Sequence, residues 1–201
     1  MTNQSVIAKE KKKQKSEIRL TVNQKNWLIS AHVISGAIWF GTALSILIIV
    51  VSNFNTTNGD QLYGINSVVK LLDDWVVVPA ANTTLMTGAL LCWLTVWGFF
   101  KFYWVITKWI ITSILITFGT FWLSPWTNAM TDIADHERLK ALSNPLFMFD
   151  TKAIIIGGAI QILSLVFIFI ISFLKPWGRQ YIIPKNNIKI SDKQDQVLGG
   201  K

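Results

Sequence analysis

The feature that most constrains this chain is an apolar stretch over residues 27–52 that contains no charged side chain. A helix rises about 1.5 Å per residue, so roughly 20 residues cross the hydrocarbon core of a bilayer, and this stretch is longer. Within it His32, Ser35, Gly36 and Trp39 recur at helical spacing and share one face. The stretch therefore predicts a transmembrane helix whose polar face looks into protein and not into lipid.

Three more apolar segments have the length of a membrane span. A hydrophobic fraction of 51% with ten Trp residues is typical of a small polytopic membrane protein and not of a soluble domain. The predicted fold class is all-α, a four-transmembrane-helix antiparallel bundle with both termini cytoplasmic. The predicted spans are residues 27–52, 75–100, 103–126 and 152–174.

The orientation follows from the distribution of charge. Segments 1–26, 101–108 and 175–201 carry most of the Lys and Arg residues, whereas the segments between the other spans are richer in acidic residues. Because cytoplasmic loops of membrane proteins carry the basic excess, both termini and the middle turn are predicted to be cytoplasmic. The predicted domains are a basic disordered tail over residues 1–20, a transmembrane domain over 21–180 and a second cytoplasmic tail over 181–201. The predicted location is the bacterial cytoplasmic membrane.

The net charge of +8 bears on the choice of partners. The basic residues lie in the tails and the short middle turn, which favours anionic lipid headgroups as their partners and argues against nucleic acid. Self-association and a second membrane protein both stay open as further partners. The single cysteine, Cys92, excludes a disulfide framework within one chain and is interpreted as a core residue.

The polar connections also contain structural signals. Residues 65–75 have the spacing of a short amphipathic helix, which we expect to lie on the membrane surface, and residues 127–142 have helical character. Pro125 is expected to end the third span. Aromatic residues crowd the start of that span, as they do at membrane interfaces, and include Trp104 and Trp109.

Two ionisable side chains fall inside the predicted spans, and an intramembrane ionisable group is a candidate functional site. His32 and Lys108 lie at similar depths below the cytoplasmic interface. A structural interpretation makes His32 a core imidazole bonded to Asn82, to a hydroxyl or to a carbonyl, and lets Lys108 extend to the headgroups. A functional interpretation makes His32 a ligand or a proton carrier.

The pattern His32-x6-Trp39, with Trp104-x3-Lys108 opening the third span, resembles the patterns of the copper-resistance D and HemJ-type protoporphyrinogen oxidase membrane families. That resemblance implies a helical bundle that binds haem b. It also implies that His32 is an axial ligand and that Lys108 lies near a haem propionate or the catalytic centre, with Trp39 in the same site. No second intramembrane histidine is present, so a haem would be five-coordinate or take a weak second ligand.

A second resemblance covers nearly the whole chain, including the ending Lys175-Pro-Trp-Gly. Over that length the chain is similar to a family of small four-span membrane proteins of low-GC Gram-positive bacteria. This resemblance implies the same fold and localisation, and it brings no activity with it.

The sequence also offers one weaker candidate site, for a metal ion outside the spans. Asp132, Asp135 and His136 share a helical face and are candidate metal ligands. Phosphate-loop, zinc-protease and nucleophile-elbow motifs are missing from the sequence, which leaves hydrolytic or ATP-driven chemistry without support.

Three functions remain open at this point. The first is a membrane protein with a haem or another hydrophobic redox cofactor at His32. The second is a non-catalytic subunit that binds a partner protein or lipid. The third is a carrier of a small solute or ion along Asn82, Thr84, Thr87 and Gln161. Whether the chain is an enzyme is left open.

Overall fold

The computed structural model describes residues 20–95 and 98–174. In this part of the chain the backbone is almost entirely helical, so the all-α prediction is confirmed. The predicted cytoplasmic tails, apart from Leu20, lie outside the described residues. The α-helices, in chain order, are α1 Val22–Ser52, α2 Gly59–Leu72, α3 Val78–Leu94, α4 Tyr103–Phe118, α5 Ser124–Glu137 and α6 Pro145–Leu174.

These helices join into long segments. Within the described residues, four such segments are long and apolar enough to cross a membrane. The sequence predicted the same number of spans. The second and third are much longer than the predicted spans, because α2 and α5 extend them at one end. The segments are Val22–Asn55, Gly59–Leu94, Tyr103–Ser143 and Pro145–Leu174.

Three helices, α1, α2 and α6, begin at side-chain capping groups. The side chain of Thr21 accepts from the backbone N–H of Gln24, whose own side chain accepts from the N–H of Thr21, and this capping box starts α1. Asn58 caps α2 in the same manner, through its side-chain oxygen. Asn144 does so for α6, where Pro145 occupies the first helical position and needs no hydrogen-bond acceptor.

Two π-helical turns, at Asp73–Val77 and Gly119–Leu123, join α2 to α3 and α4 to α5. A proline follows each turn at the second position of the next helix, Pro79 in one case and Pro125 in the other. Proline lacks an N–H and its ring clashes with the carbonyl four residues earlier, and a locally widened turn relieves both problems. The helices therefore continue through their prolines.

This continuity corrects two expectations. Pro125 does not end the third helix, which runs on to Glu137. Residues 65–75 do not form a separate surface helix, because α2 begins at Gly59, runs into α3 without a break and packs against α5. The predicted helical character of residues 127–142 is confirmed by α5 and the 3₁₀ segment Arg138–Ser143.

We call the part formed by the end of α1, α2, α5 and the start of α6 the cap. Its centre is a cluster of buried apolar side chains, all but one of them with 0% exposure. Such complete burial indicates close packing of four helices. The members of this cap cluster are Val50, Leu62, Val69, Met130, Ala134, Ala141, Phe147 and Ile154.

Buried amides fasten the cap together. The side-chain N–H of Asn53, just after α1, donates to the side-chain oxygen of Asn66 on α2 at 3.1 Å. The side-chain N–H of Asn66 donates in turn to the carbonyl of Leu62 at 2.8 Å. The backbone carbonyl oxygen of Asn66 lies 3.2 Å from the Thr131 hydroxyl of α5, which the carbonyl of Thr127 shares at 2.8 Å. One buried asparagine thus connects α1, α2 and α5.

We call the other part, formed by the first half of α1, by α3, by α4 and by the end of α6, the cavity half. Here α1 packs closely on α3, whereas α4 packs on α6 and makes little backbone contact with α1 or α3. The helices therefore separate away from the cap, and the space between them forms the candidate site.

Candidate functional site

A cavity of about 440 Å³ lies among the four helices of the cavity half. Its size is in the range of roughly 300–1,000 Å³ that is common for small-molecule sites. The wall is mainly apolar, and the few polar groups on it include His32 from α1 and Lys108 from α4. Trp39 of α1 also contributes to the wall, so the structure brings the three predicted cofactor-binding residues to one cavity.

Hydrogen bonds to α3 hold the imidazole of His32 in place. Its Nδ1 lies 3.0 Å from the carbonyl oxygen of Thr84 and 3.1 Å from the hydroxyl oxygen of Thr87. A carbonyl oxygen only accepts, so Nδ1 carries the proton and donates. The Thr87 hydroxyl donates its own proton to the carbonyl of Thr83 at 2.7 Å and is free to accept from Nδ1.

This arrangement selects one tautomer of the histidine. With Nδ1 protonated, the neutral ring keeps its lone pair on Nε2. No residue in the described part of the chain hydrogen-bonds Nε2 of His32. The Thr84 carbonyl and the Thr87 hydroxyl are two of the kinds of partner that the sequence predicts for a core imidazole. Asn82, the third predicted partner, is exposed, and its side chain donates to the carbonyl of Val78.

Gly88 allows α3 to approach the histidine this closely. A Cβ atom at position 88 would lie 3.2 Å from Cε1 of His32, which is tighter than an ordinary contact. One turn earlier on α3, the hydroxyl oxygen of Thr84 lies 2.9 Å from the hydroxyl oxygen of Ser35 on α1. The polar face predicted on α1 is therefore the face that meets α3.

The side chain of Lys108 lines the cavity and has no carboxylate partner among the described residues. Its Nζ lies 5.9 Å from the ring centroid of Trp104, one helical turn earlier on α4. Within residues 20–95 and 98–174 no Asp or Glu forms an ion pair with Lys108. A cation–π contact of this kind compensates only part of the cost of moving an ammonium group out of water. The ammonium group is available to a negatively charged ligand.

Trp39 lies deeper in the bundle, about two helical turns from His32. Its side chain is only 1% exposed and packs against Leu115 and Leu165. The indole N–H has no hydrogen-bond partner among the described residues.

The structure also adds cavity residues that the sequence interpretation placed elsewhere. Trp104 and Trp109, which the sequence predicts at the membrane interface, both contribute to the cavity wall, and Trp104 is buried there. The indole N–H of Trp109 lies 3.3 Å from Sγ of Cys92, the predicted core cysteine, which lies on the same wall. The four-residue spacing of Trp104 and Lys108 was the available signal, because it places both on one helical face.

The candidate metal ligands lie in the cap and outside the cavity. Asp132 and Asp135 are exposed on α5, where Asp135 accepts a hydrogen bond from Arg138 at 3.1 Å. Nδ1 of His136 lies 2.8 Å from the carbonyl oxygen of Asp132. Among the residues that the structure describes, no group of three His, Cys, Asp or Glu side chains is placed to hold a metal ion.

The four residues considered for a carrier path do not share the cavity. Thr84 is on its wall, whereas Asn82, Thr87 and Gln161 are not. Asn82 faces outward, and Gln161 is buried within α6. Thr84 and Thr87 use their polar groups to hold His32 and Ser35.

Comparison with protein-family models, with characterised proteins and with solved structures finds no match to this chain. The resemblances that the sequence motifs carry therefore stay predictions. The candidate site is argued from its own geometry.

Proposed function

We propose that this chain is an integral membrane protein whose cavity binds a hydrophobic cofactor through His32, with haem b as the candidate. The observation that carries the proposal is an oriented imidazole with a free Nε2 on the wall of an apolar cavity, between helices that are able to cross a membrane. Lys108 of α4, on the same cavity wall, supports the proposal, because a cofactor with carboxylate groups would neutralise its positive charge.

The proposed topology is an antiparallel four-helix bundle in the bacterial cytoplasmic membrane, with both termini cytoplasmic. Two groups of exposed aromatic side chains support it, because such residues mark membrane interfaces. Trp93, Phe100 and Tyr103 lie around the turn between α3 and α4, and Trp75 and Phe121 lie at the two π-helical turns. The basic excess falls on the side of the first group, which places the cavity half towards the cytoplasm.

The residues on the cavity wall fit a haem. Histidines that ligate a metal commonly donate their other ring N–H to a carbonyl, as His32 does to Thr84. Lys108 would hold a propionate, and Trp39 and the apolar wall would exclude water from the porphyrin. A haem supplies redox and small-ligand chemistry at its iron when bound. The other histidine of the chain, His136, lies in the cap and offers no second axial ligand.

The test is a haem titration of the purified full chain in mild detergent, followed by absorbance spectroscopy. We expect a Soret band that saturates at one haem per chain and disappears in His32→Ala. His136→Ala is the matched control and should keep the band, because it removes the remaining histidine without touching the cavity. A wild-type protein without a Soret band, or a band unchanged in His32→Ala, refutes the proposal.

A failed titration would favour the second function, a non-catalytic subunit. A stable complex recovered in mild detergent without a cofactor, and lost on deletion of residues 1–20, would support that alternative. The deletion is informative because the basic tail is the predicted contact for lipid or a partner.

A further inference from the structure

The polar groups that α4 presents to the cavity differ from those of the other helices. Lys108 and Thr112 lie one helical turn apart on the cavity wall. The hydroxyl groups of Thr84 and Ser172, which also lie on the wall, each donate to the carbonyl four residues earlier at 2.8 Å. The Thr112 hydroxyl makes no such bond, and no described residue pairs with it. An ammonium group and a hydroxyl group are thus left as free donors that α4 presents to one cavity.

The cavity also reaches the outer surface of the bundle. Val33 of α1 and Phe173 of α6 both contribute to its wall, yet they are 49% and 81% exposed. Both belong to helical segments that are able to cross a membrane, so their exposed surfaces face lipid in the proposed topology. A hydrophobic molecule can enter such a cavity from the bilayer without crossing water.

The donors and the wall together define the chemistry of a ligand. A carboxylate only accepts hydrogen bonds, and it pairs well with an ammonium group and a hydroxyl group. Beside them the Nδ1 proton of His32 is already donated to α3, so it is not available to a ligand in the cavity. The rest of the wall suits a hydrocarbon chain. A volume of about 440 Å³ is in the range of small-molecule sites, and a single-chain molecule needs less of it than a two-chain phospholipid.

We propose that the cavity binds a single-chain carboxylate amphiphile, a long-chain fatty acid drawn from the surrounding leaflet. Lys108 and Thr112 hold the carboxylate, and the chain occupies the apolar space towards the lipid-facing mouth. This inference rests on the proposed function only for the membrane position of the cavity, and it requires no iron at His32. A fatty acid and a haem would compete for the same space.

The experiment measures binding of radiolabelled hexadecanoate to the full chain in non-ionic detergent, with hexadecanol as the uncharged probe of equal chain length. We expect the acid to bind at least about tenfold tighter than the alcohol, since hydrogen bonds to a charged group are strong. Lys108→Met should abolish that preference, and Lys108→Arg should keep most of it. Thr112→Val, which preserves shape, should weaken acid binding about threefold to tenfold.

Lys152→Met is the matched control, because Lys152 is exposed on α6 and lies outside the cavity wall. It should leave both probes unchanged. Equal binding of acid and alcohol to the wild type, an unaltered preference in Lys108→Met, or an equal loss in Lys152→Met overturns the proposal. Displacement of the acid by dioleoyl phosphatidate at lower concentration than by unlabelled hexadecanoate overturns the single-chain assignment.

The two proposals fail separately. Hexadecanoate binding without any Soret band refutes the haem proposal and leaves this one standing. A saturable Soret band without a preference for the acid over the alcohol refutes this one and leaves the haem proposal standing. Size-exclusion elution of each variant as a single species, together with the Lys108→Arg result, separates a binding defect from a folding defect.

Discussion

The cap and the cavity half are built from the same helices but are packed in opposite ways. In the cap, side chains such as Phe147 and Met130 have no exposed surface, and Asn66 bonds to three helices. In the cavity half the helices separate around a void, and Lys108 has no carboxylate partner in the described part of the chain. The difference indicates that the cap carries stability and that the cavity half gives up stability for binding.

The two π-helical turns lie at the boundary between these regions. Asp73–Val77 and Gly119–Leu123 occur in neighbouring helical segments, and each is followed by a proline. Local widening of a helix commonly accompanies functional sites. On the cap side of the turns α2 and α5 pack against each other, whereas on the other side α3 and α4 make little backbone contact.

The largest expected contrast is between two phenylalanines. Phe147→Ala in the cap should lower the free energy of unfolding by about 3–5 kcal/mol, because it opens a hole in a fully packed cluster. Phe169→Ala on the cavity wall should cost less than half of that, because the ring is half-buried, and its removal loses an edge contact with Phe40 and enlarges an existing space. Denaturant titration in detergent, followed by circular dichroism, measures both. Equal losses would contradict the division into a packed cap and an open cavity half.

A second contrast concerns the amides of the cap. Asn53→Ala removes a buried partner of Asn66 and should cost about 1–3 kcal/mol, because a buried amide is left unsatisfied. Asn55→Ala is the control two residues away, where the side chain is exposed, and it should change stability by less than about 0.5 kcal/mol. If the two variants unfold at the same denaturant concentration, the amide contact does not fasten the cap.

The cation in the cavity should produce an effect of the opposite sign. Lys108→Met removes an unpaired charge from an apolar cavity and should raise the free energy of unfolding of the ligand-free protein by about 1 kcal/mol, even after the loss of the Trp104 contact. Lys152→Met should be neutral within about 0.5 kcal/mol. A destabilised Lys108→Met protein would mean that the lysine serves the fold and not a ligand.

The smallest expected effect compares two helical glycines. Gly41→Ala should stabilise the protein by about 0.5–1 kcal/mol, because nothing lies within 4 Å of the new methyl group and alanine favours helix. Gly88→Ala should show no such gain, because its methyl group would press on the imidazole of His32. A comparable gain at both positions in the same denaturant titration would show that α3 does not hold the histidine closely.

Local patterns in the sequence were sufficient to predict the helices. Apolar length predicted four segments that are able to cross a membrane, and the polar face of α1 was predicted from its spacing alone. The same local argument failed at Pro125, because it did not anticipate a π-helical turn that accommodates the ring. It also did not anticipate that the predicted short helix at residues 65–75 begins at Gly59, runs into α3 and packs on α5, while Val68, Leu71 and Trp75 stay exposed.

The sequence alone determined that this protein is helical and apolar enough to lie in a bilayer, because helix length and side-chain polarity are properties of short segments. Only the tertiary structure decided the partners of His32, since the carbonyl of Thr84 that orients its ring comes from a residue 52 positions away. It also decided that Lys108 points into a cavity and that Asn82 does not. Those outcomes depend on how far apart four helices pack, and no periodicity within a single helix encodes that distance.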